Sequence, residues 1–242
     1  MMGQVQKPFE EILESLKGYK KITIMGCGGC STILKTGGIE QVEEMADKLS
    51  AEGKEIVGRI GLPFGAYVCF TPISSQFIEK NLKAFKEADA ILMMSCGDGL
   101  QNARMILEDM GVVKPMIPAQ NSLGYFGGGP EYYKEKCQGC GDCVLGYTAG
   151  ICPLTECPKG LLNGPCGGTR SDGTCEVDPD KKCAWVQIYE RLDKIGELSR
   201  MDDILEPHRW DKAIRPRSVN PGPVDLVAKY KQMKELIISM GI

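Results

Sequence analysis

The chain has 242 residues, a formal net charge of −3 and 12 cysteines. So small a charge, from 29 basic and 32 acidic residues, argues against a basic surface for nucleic acid. The N-terminus lacks the apolar run of a signal sequence, and no stretch approaches the roughly 20 apolar residues of a membrane span. We therefore expect a cytoplasmic protein without a nucleic-acid or membrane partner. In that reducing compartment, the cysteines indicate metal binding or redox chemistry rather than disulfides.

Helical and extended apolar patterns alternate through the first half of the chain. This alternation predicts an α/β fold with a doubly wound, mostly parallel sheet of about four strands and helices on both faces. Either Ser74 or Ser75 is expected to cap the third helix. The predicted strands are 21–25, 55–60, 90–94 and 114–118, and the predicted helices are 8–19, 39–53, 74–85 and 100–110.

Composition changes sharply further along the chain. A glycine-rich linker or binding loop is expected at 121–130, and no regular period persists between Cys137 and Cys183. A helix is predicted after Cys183, then an extended proline-rich connector at 215–223 and a last helix at 224–240. We expect three parts, namely a Rossmann-like α/β domain at 1–130, a loop-rich cysteine module at 131–184 and a helical C-terminal region at 185–242.

The cysteine module indicates iron-sulfur clusters. Cys137, Cys140 and Cys143 follow one another at the spacing by which small bacterial ferredoxins bind such clusters, and a Cys-Pro pair comes later. Eight cysteines are the number that two [4Fe-4S] clusters need, whose binding would organise these loops in place of a large core. Structural zinc is the alternative. The eight candidate ligands are Cys137, Cys140, Cys143, Cys152, Cys157, Cys166, Cys175 and Cys183; one grouping places Cys183 with the first three and the remaining four together.

The other four cysteines follow or connect predicted strands. Cys27 and Cys30 come after the first strand, Cys69 lies in the connection after the second, and Cys96 comes after the third. Carboxyl ends of parallel strands share one edge of a sheet, so these thiols are candidates for a third metal centre holding either [4Fe-4S] or zinc. Three alternatives remain. The turn after the first strand could bind a dinucleotide, although it lacks the third glycine of that motif. Cys27 and Cys30 could form a redox pair, or Cys69 and Cys96 could simply be buried as small apolar residues.

A resemblance supports the cluster interpretation. Cys152–Arg170, which contains Asn163-Gly-Pro-Cys-Gly-Gly168, together with Gly173–Val177 and Cys183–Trp185, resembles the methylenetetrahydrofolate reductase C-terminal family. A free-standing chain of this length is similar to the MetV-type accessory iron-sulfur subunits of two-subunit methylenetetrahydrofolate reductases in acetogenic and related anaerobic bacteria. The resemblance implies that the eight cysteines of the module bind the clusters.

The resemblance also implies a function and partners. The chain would be a non-catalytic electron-transfer subunit in one-carbon metabolism of the acetyl-CoA pathway, with no catalytic residue of its own. Ferredoxin or a larger redox complex would donate electrons, and the partner would be a barrel subunit whose FMN reduces methylenetetrahydrofolate. The FMN would lie on that partner rather than on this chain. Two alternatives stay open: a zinc-stabilised docking subunit, and an iron-sulfur subunit of another methyl-group enzyme. The one histidine, His208, is expected to be solvated or structural.

Overall fold

The computed structural model describes residues 1–129, 132–220 and 222. They divide into two compact units, the first containing Met1–Gly139 and Cys143–Glu206 and the second containing Cys140–Asp142 and the residues from Pro207 onward. In chain order the elements are β1 (Met2–Gln6), α1 (Phe9–Ser15), β2 (Lys21–Gly26), α2 (Cys30–Ile33), α3 (Ile39–Ala51), β3 (Glu55–Ile60), α4 (Thr71–Lys80), α5 (Leu82–Glu87), β4 (Ala90–Met94), α6 (Gly97–Asp109), β5 (Met116–Pro118), β6 (Gln120–Gly128), β7 (Tyr133–Cys137), α7 (Pro153–Glu156) and α8 (Ala184–Lys194), with 3-10 turns at Leu198–Asp202 and Trp210–Ala213.

A four-stranded parallel sheet forms the centre of the first unit and confirms the predicted α/β fold. Its strand order is β3-β2-β4-β5, and every neighbouring pair is parallel. All five residues of β4 are buried, as its unbroken apolar run Ala90–Met94 requires of a strand covered on both faces.

Side chains of successive strand residues point to opposite faces and therefore enter two different cores. Helices α1 and α3 cover one face, and α4, α5 and α6 cover the other. The first core contains Ile12, Leu16, Ile22, Ile24, Val42, Met45, Ala46, Leu49, Ala90, Leu92, Met94 and Ala119. The second contains Met25, Cys27, Ile60, Leu62, Ala66, Val68, Ile78, Phe85, Ile91, Met93, Ala103, Ile106, Leu107 and Val112.

A second, antiparallel sheet corrects the expectation of a linker at 121–130. Strand β6 occupies most of that stretch and pairs with β1 on one side and with β7 on the other. One partner, β1, lies more than a hundred residues away in sequence, so the local pattern of β6 alone does not predict the strand. The glycines permit close packing here, since a Cβ at Gly3 would lie 2.2 Å from the ring of Phe126.

The third predicted helix begins earlier than expected and is broken in two. Helix α4 begins at Thr71 with Pro72 in its first turn, so neither predicted serine is its cap. Ser74 instead lies buried inside the helix, where its hydroxyl donates to the carbonyl of Phe70 at 3.2 Å. Asn81 separates α4 from α5.

Helix α8 confirms the helix expected after Cys183. The predicted helix at 224–240 lies outside the described residues, as does the end of the proline-rich connector. Among the helices that the structure does describe, none is long and apolar enough to cross a membrane.

Candidate metal centres

The carboxyl edge of the parallel sheet carries the first group of cysteines. The chain leaves β2 for β3 on one side and later returns to β4 on the other, so the edge between β2 and β4 is a topological switch point, where ligands of such sheets bind. Gly26 pairs with Met94 at the ends of these strands, and Cys27 and Cys96 follow within two residues. Cys30 begins α2, and Cys69 lies shortly before α4.

The four thiols of this edge group, Cys27, Cys30, Cys69 and Cys96, interact electrostatically. Burial, followed by the charges of Asp98 and of the three other cysteines, raises the pKa of Cys69 to about 11. Burial likewise raises the pKa of the Cys27 and Cys96 thiols. The structure thus brings the four predicted residues together in a place where their thiolates repel one another, and a bound cation is the kind of charge that would relieve this repulsion.

Hydrogen-bond donors surround the edge group. The amide of Met2 in β1 donates to the Sγ of Cys30 at 3.3 Å. The side-chain amide of Gln4 donates to the hydroxyl of Ser31 at 2.8 Å, and that hydroxyl in turn bonds to the thiol of Cys27. Amide and hydroxyl donors directed at sulfur are typical of the surroundings of metal-bound thiolates. Sequence reasoning missed this role of β1, because it did not predict the strand.

The second group, termed here the cavity group, consists of Cys157, Cys166, Cys175 and Cys183. All four line one small cavity. Its wall also contains Pro158, Lys159, Pro165, Thr169, Glu176, Ala184 and Trp185. The cavity places Cys183 with these three cysteines, which differs from the sequence grouping that put it with the first three of the module.

A backbone bridge and a side-chain hydrogen bond bring together the segments that carry the cavity group. Thr174 and Lys182 form an antiparallel bridge, and the amide of Cys175 donates to the carbonyl of Lys181 at 2.8 Å, so both ends of the loop 175–183 lie side by side. The indole N–H of Trp185 donates to the carbonyl of Leu161 at 2.9 Å. That bond ties the start of α8 to the segment that leads to Cys166.

Polar groups of the cavity wall contact its sulfur atoms. The hydroxyl of Thr169 donates to the Sγ of Cys183 at 3.3 Å. Burial raises the pKa of this thiol, but the hydroxyl bond and the amide groups of Val186 and Trp185 outweigh that effect, and the pKa lies below its ordinary value. These amides belong to the first turn of α8, where helix N–H groups favour negative charge. The surroundings of the Cys183 sulfur therefore favour its negative charge.

Opposite charges lie on the same wall. Lys159 forms an ion pair with Glu176, and the thiol of Cys166 donates to the same carboxylate at 3.3 Å. The amide of Gly168 donates to the Sγ of Cys166 at 3.4 Å. A Cβ at Gly168 would lie within 2.0 Å of the carboxylate of Glu176, so a larger residue there would displace that carboxylate.

The other four cysteines of the module are Cys137, Cys140, Cys143 and Cys152. Cys137 ends β7 and is exposed, Cys143 is also exposed, and Cys152 is the residue before α7. The hydroxyl of Thr155 in α7 donates to the carbonyl of Lys136 at 3.3 Å, which brings the turn after Cys152 beside the strand that leads to Cys137. Cys140 belongs to the second unit.

In the second unit, the carboxylate of Asp142 is held by residues from the C-terminal region. Lys212 Nζ lies 2.5 Å from one oxygen, and the amide of Arg209 donates to the other at 3.2 Å. These bonds, the Lys212 ion pair first, lower the pKa of Asp142. His208 is buried, packs edge-on against Trp210 with ring centroids 4.5 Å apart, and has its Nδ1 3.8 Å from Asp142. The expectation of a structural role suits this buried position better than solvation.

The donor chemistry of these groups fits soft metals or iron-sulfur clusters. Four thiols around one cavity, with a hydroxyl and amides directed at sulfur, match the ligands that such centres take. Within residues 1–129, 132–220 and 222, no three Cys, His, Asp or Glu side chains already stand in the arrangement of a metal site.

Comparison with known proteins finds a family match for one segment of the chain. The sequence model of the family described as "Methylene-tetrahydrofolate reductase C terminal" matches residues 119–211. This segment begins at β6 and contains all eight cysteines of the module but none of the edge group. Searches of curated proteins and of solved structures found no match. The match to the methylene-tetrahydrofolate reductase C-terminal family is therefore a property of residues 119–211, which are less than half of the chain.

Proposed function

We propose that the chain is the electron-transfer subunit of a two-subunit methylenetetrahydrofolate reductase, of the MetV type. The observation that carries the proposal is the cavity group, in which four thiols of the family segment line a single cavity. Ferredoxin or a larger redox complex would supply electrons, and a barrel subunit carrying FMN would receive them. The hydride chemistry on the folate would then belong to that partner.

The residues of this chain would hold the redox centres and adjust their surroundings. The cavity group would bind one [4Fe-4S] cluster, and the remaining cysteines of the module, Cys137, Cys140, Cys143 and Cys152, would bind the other, as their ferredoxin-like spacing indicates. Such clusters, when bound, supply reversible one-electron transfer. Thr169 and the amide of Gly168 would donate hydrogen bonds to ligand sulfur, which stabilises its negative charge and thereby influences the reduction potential.

The edge group would form a third centre. Its four thiols lie at the switch point of the sheet, with donors from β1 and from the turn after β2 directed at them. Both a [4Fe-4S] cluster and zinc suit four thiolates. Electron transfer through this group requires iron, whereas zinc would give it a purely structural role.

Metal analysis of the anaerobically purified full chain tests the proposal. We expect about eight irons and a matching amount of acid-labile sulfide from the two clusters of the module, with more if the edge group also holds a cluster. Changing Cys157→Ser should remove about half of the module's iron. Val177→Ala, an exposed change in the same loop region, is the control and should retain all of it. Protein that carries stoichiometric zinc without iron would instead support the docking-subunit alternative and refute electron transfer.

A further inference from the structure

A buried carboxylate lies between the two groups of module cysteines. Glu156 ends α7, the single turn that separates Cys152 from Cys157, and is only 7% exposed. The amide of Glu156 donates to the carbonyl of Cys152 at 2.9 Å, and the amide of Cys157 donates to the carbonyl of Pro153 at 3.1 Å. The short turn thus carries one cysteine of each group with Glu156 between them.

Three lysines from two other segments approach this carboxylate. Lys134 Nζ lies 2.5 Å from Oε2 of Glu156, Lys181 Nζ lies 3.9 Å from the same oxygen, and Lys136 Nζ lies 4.0 Å from Oε1. Lys134 and Lys136 belong to β7, which ends at Cys137. The carboxylate therefore connects the turn α7 to the strand that leads into the first cysteine group.

Lys181 connects the same carboxylate to the cavity group. Its backbone carbonyl accepts the hydrogen bond from the amide of Cys175, and its side chain reaches Glu156. Its neighbour Lys182 forms the bridge to Thr174 that closes the loop before Cys183. One carboxylate thereby contacts the segments that carry ligands of both groups.

Burial makes this contact different from the ion pairs on the surface. A buried carboxylate is costly without its partners, so the surrounding segments are held where their lysines reach it. Lys182 and Glu190, by comparison, form an ion pair in which both side chains are about half exposed. Exposed pairs of that kind contribute little to a structure.

We propose that Glu156 is a positioning residue that fixes turn α7 against β7 and against the loop 175–183, and so sets the separation of the two cysteine groups. As a statement about electron transfer this rests on the proposed function, because the separation matters only if both groups hold clusters. As a statement about geometry it stands on the three lysine contacts alone.

Hydrogen exchange of the full chain tests the geometry without reference to the metal. Glu156→Ala should speed exchange of the amides of Cys157 and Cys175 at least about tenfold, since removing the carboxylate ends the three lysine contacts that hold these segments together. Glu156→Gln, which keeps the shape, should have a smaller effect in the same direction, and it serves if the alanine variant fails to fold. Glu190→Ala is the matched control and should leave both amides unchanged. Unaltered exchange in both Glu156 variants, or an equal change in the control, would overturn the inference.

Electron paramagnetic resonance of the reduced protein tests the consequence for the clusters. Two reduced clusters at a fixed separation broaden each other's signals, and Glu156→Gln should change that broadening while leaving the iron content as in the wild type. Identical spectra would refute the positioning role. Iron-free protein whose exchange still responds to Glu156→Ala would leave the positioning intact and would refute only the proposed function.

Discussion

Gly28 offers the sharpest test of how the edge group is built. It lies in the turn between Cys27 and Cys30, where a Cβ would come within 1.8 Å of the carbonyl oxygen of Pro63 and 2.6 Å of its carbon. Both atoms are backbone, so no side-chain rotation relieves the contact. In Gly28→Ala that carbonyl has to retreat beyond 3.0 Å, the distance below which real Cβ contacts essentially do not occur.

Movement of the Pro63 carbonyl breaks the hydrogen bonds that join the turn at Gly28 to the loop that contains Gly65 and Ala66. The amide of Gly28 donates to the carbonyl of Ala66 at 3.0 Å, and the amide of Gly65 donates to the carbonyl of Gly28 at 2.8 Å. Two lost backbone bonds cost about 1 kcal/mol each, and forcing a methyl group into a packed place costs about 1–3 kcal/mol. We expect Gly28→Ala to lower the free energy of unfolding by about 3–5 kcal/mol.

Urea unfolding of the anaerobically purified chain measures this loss. Gly97→Ala is the matched control, because Gly97 follows Cys96 at the same edge and its added Cβ would meet only the hydroxyl of Ser122, at 3.8 Å. The control should change the free energy of unfolding by less than about 0.5 kcal/mol. If the two variants unfold at the same urea concentration, the close approach of the two loops is not what holds the edge group.

Two further predictions concern the parallel sheet. Phe85→Ala should lower the free energy of unfolding by about 3–5 kcal/mol in a urea titration, because the ring is fully buried, whereas Phe64→Ala at a position 75% exposed should change it little; equal effects would contradict the assigned core. The carboxylate of Asp89 accepts hydrogen bonds from the backbone amides of Lys21 and Lys20, and these bonds lower its pKa. The stability that the carboxylate contributes is therefore present above about pH 4 and is lost as pH falls through the lowered pKa. Asp89→Asn should therefore reduce stability at neutral pH and converge with the wild type in acid, and a pH-independent difference between the two unfolding curves would refute this origin.

The parallel sheet was predictable because its strands have distinctive local sequence patterns. The run Ala90–Met94 is apolar throughout, and β3 has the bounds that its sequence pattern indicates. Once a parallel sheet is predicted, the shared carboxyl edge follows, and with it the meeting of Cys27 with Cys96. The meeting of these two cysteines at one edge was thus predictable from topology alone.

The antiparallel sheet and the arrangement inside the module were not predictable in this way. Strand β6 is rich in glycine and owes its extended state to partners more than a hundred residues away at β1 and only a few residues away at β7. Cysteine spacing could not assign Cys183, because the loop that returns it to Cys175 is closed by a bridge between residues of no distinctive type. Glu156 has the sequence context of an ordinary surface residue, and only the folded loops bury it.

Electron transfer from this chain to a flavin can be measured directly. The full chain, purified anaerobically and reduced chemically, would be mixed in a stopped-flow instrument with the FMN-bearing barrel subunit of a two-subunit methylenetetrahydrofolate reductase, with the Cys157→Ser variant as the comparison. We expect the flavin absorbance to bleach as the chain is reoxidised, and we expect the variant to transfer fewer electrons per chain. A flavin that stays oxidised while the chain stays reduced in a complex of the two subunits would contradict it.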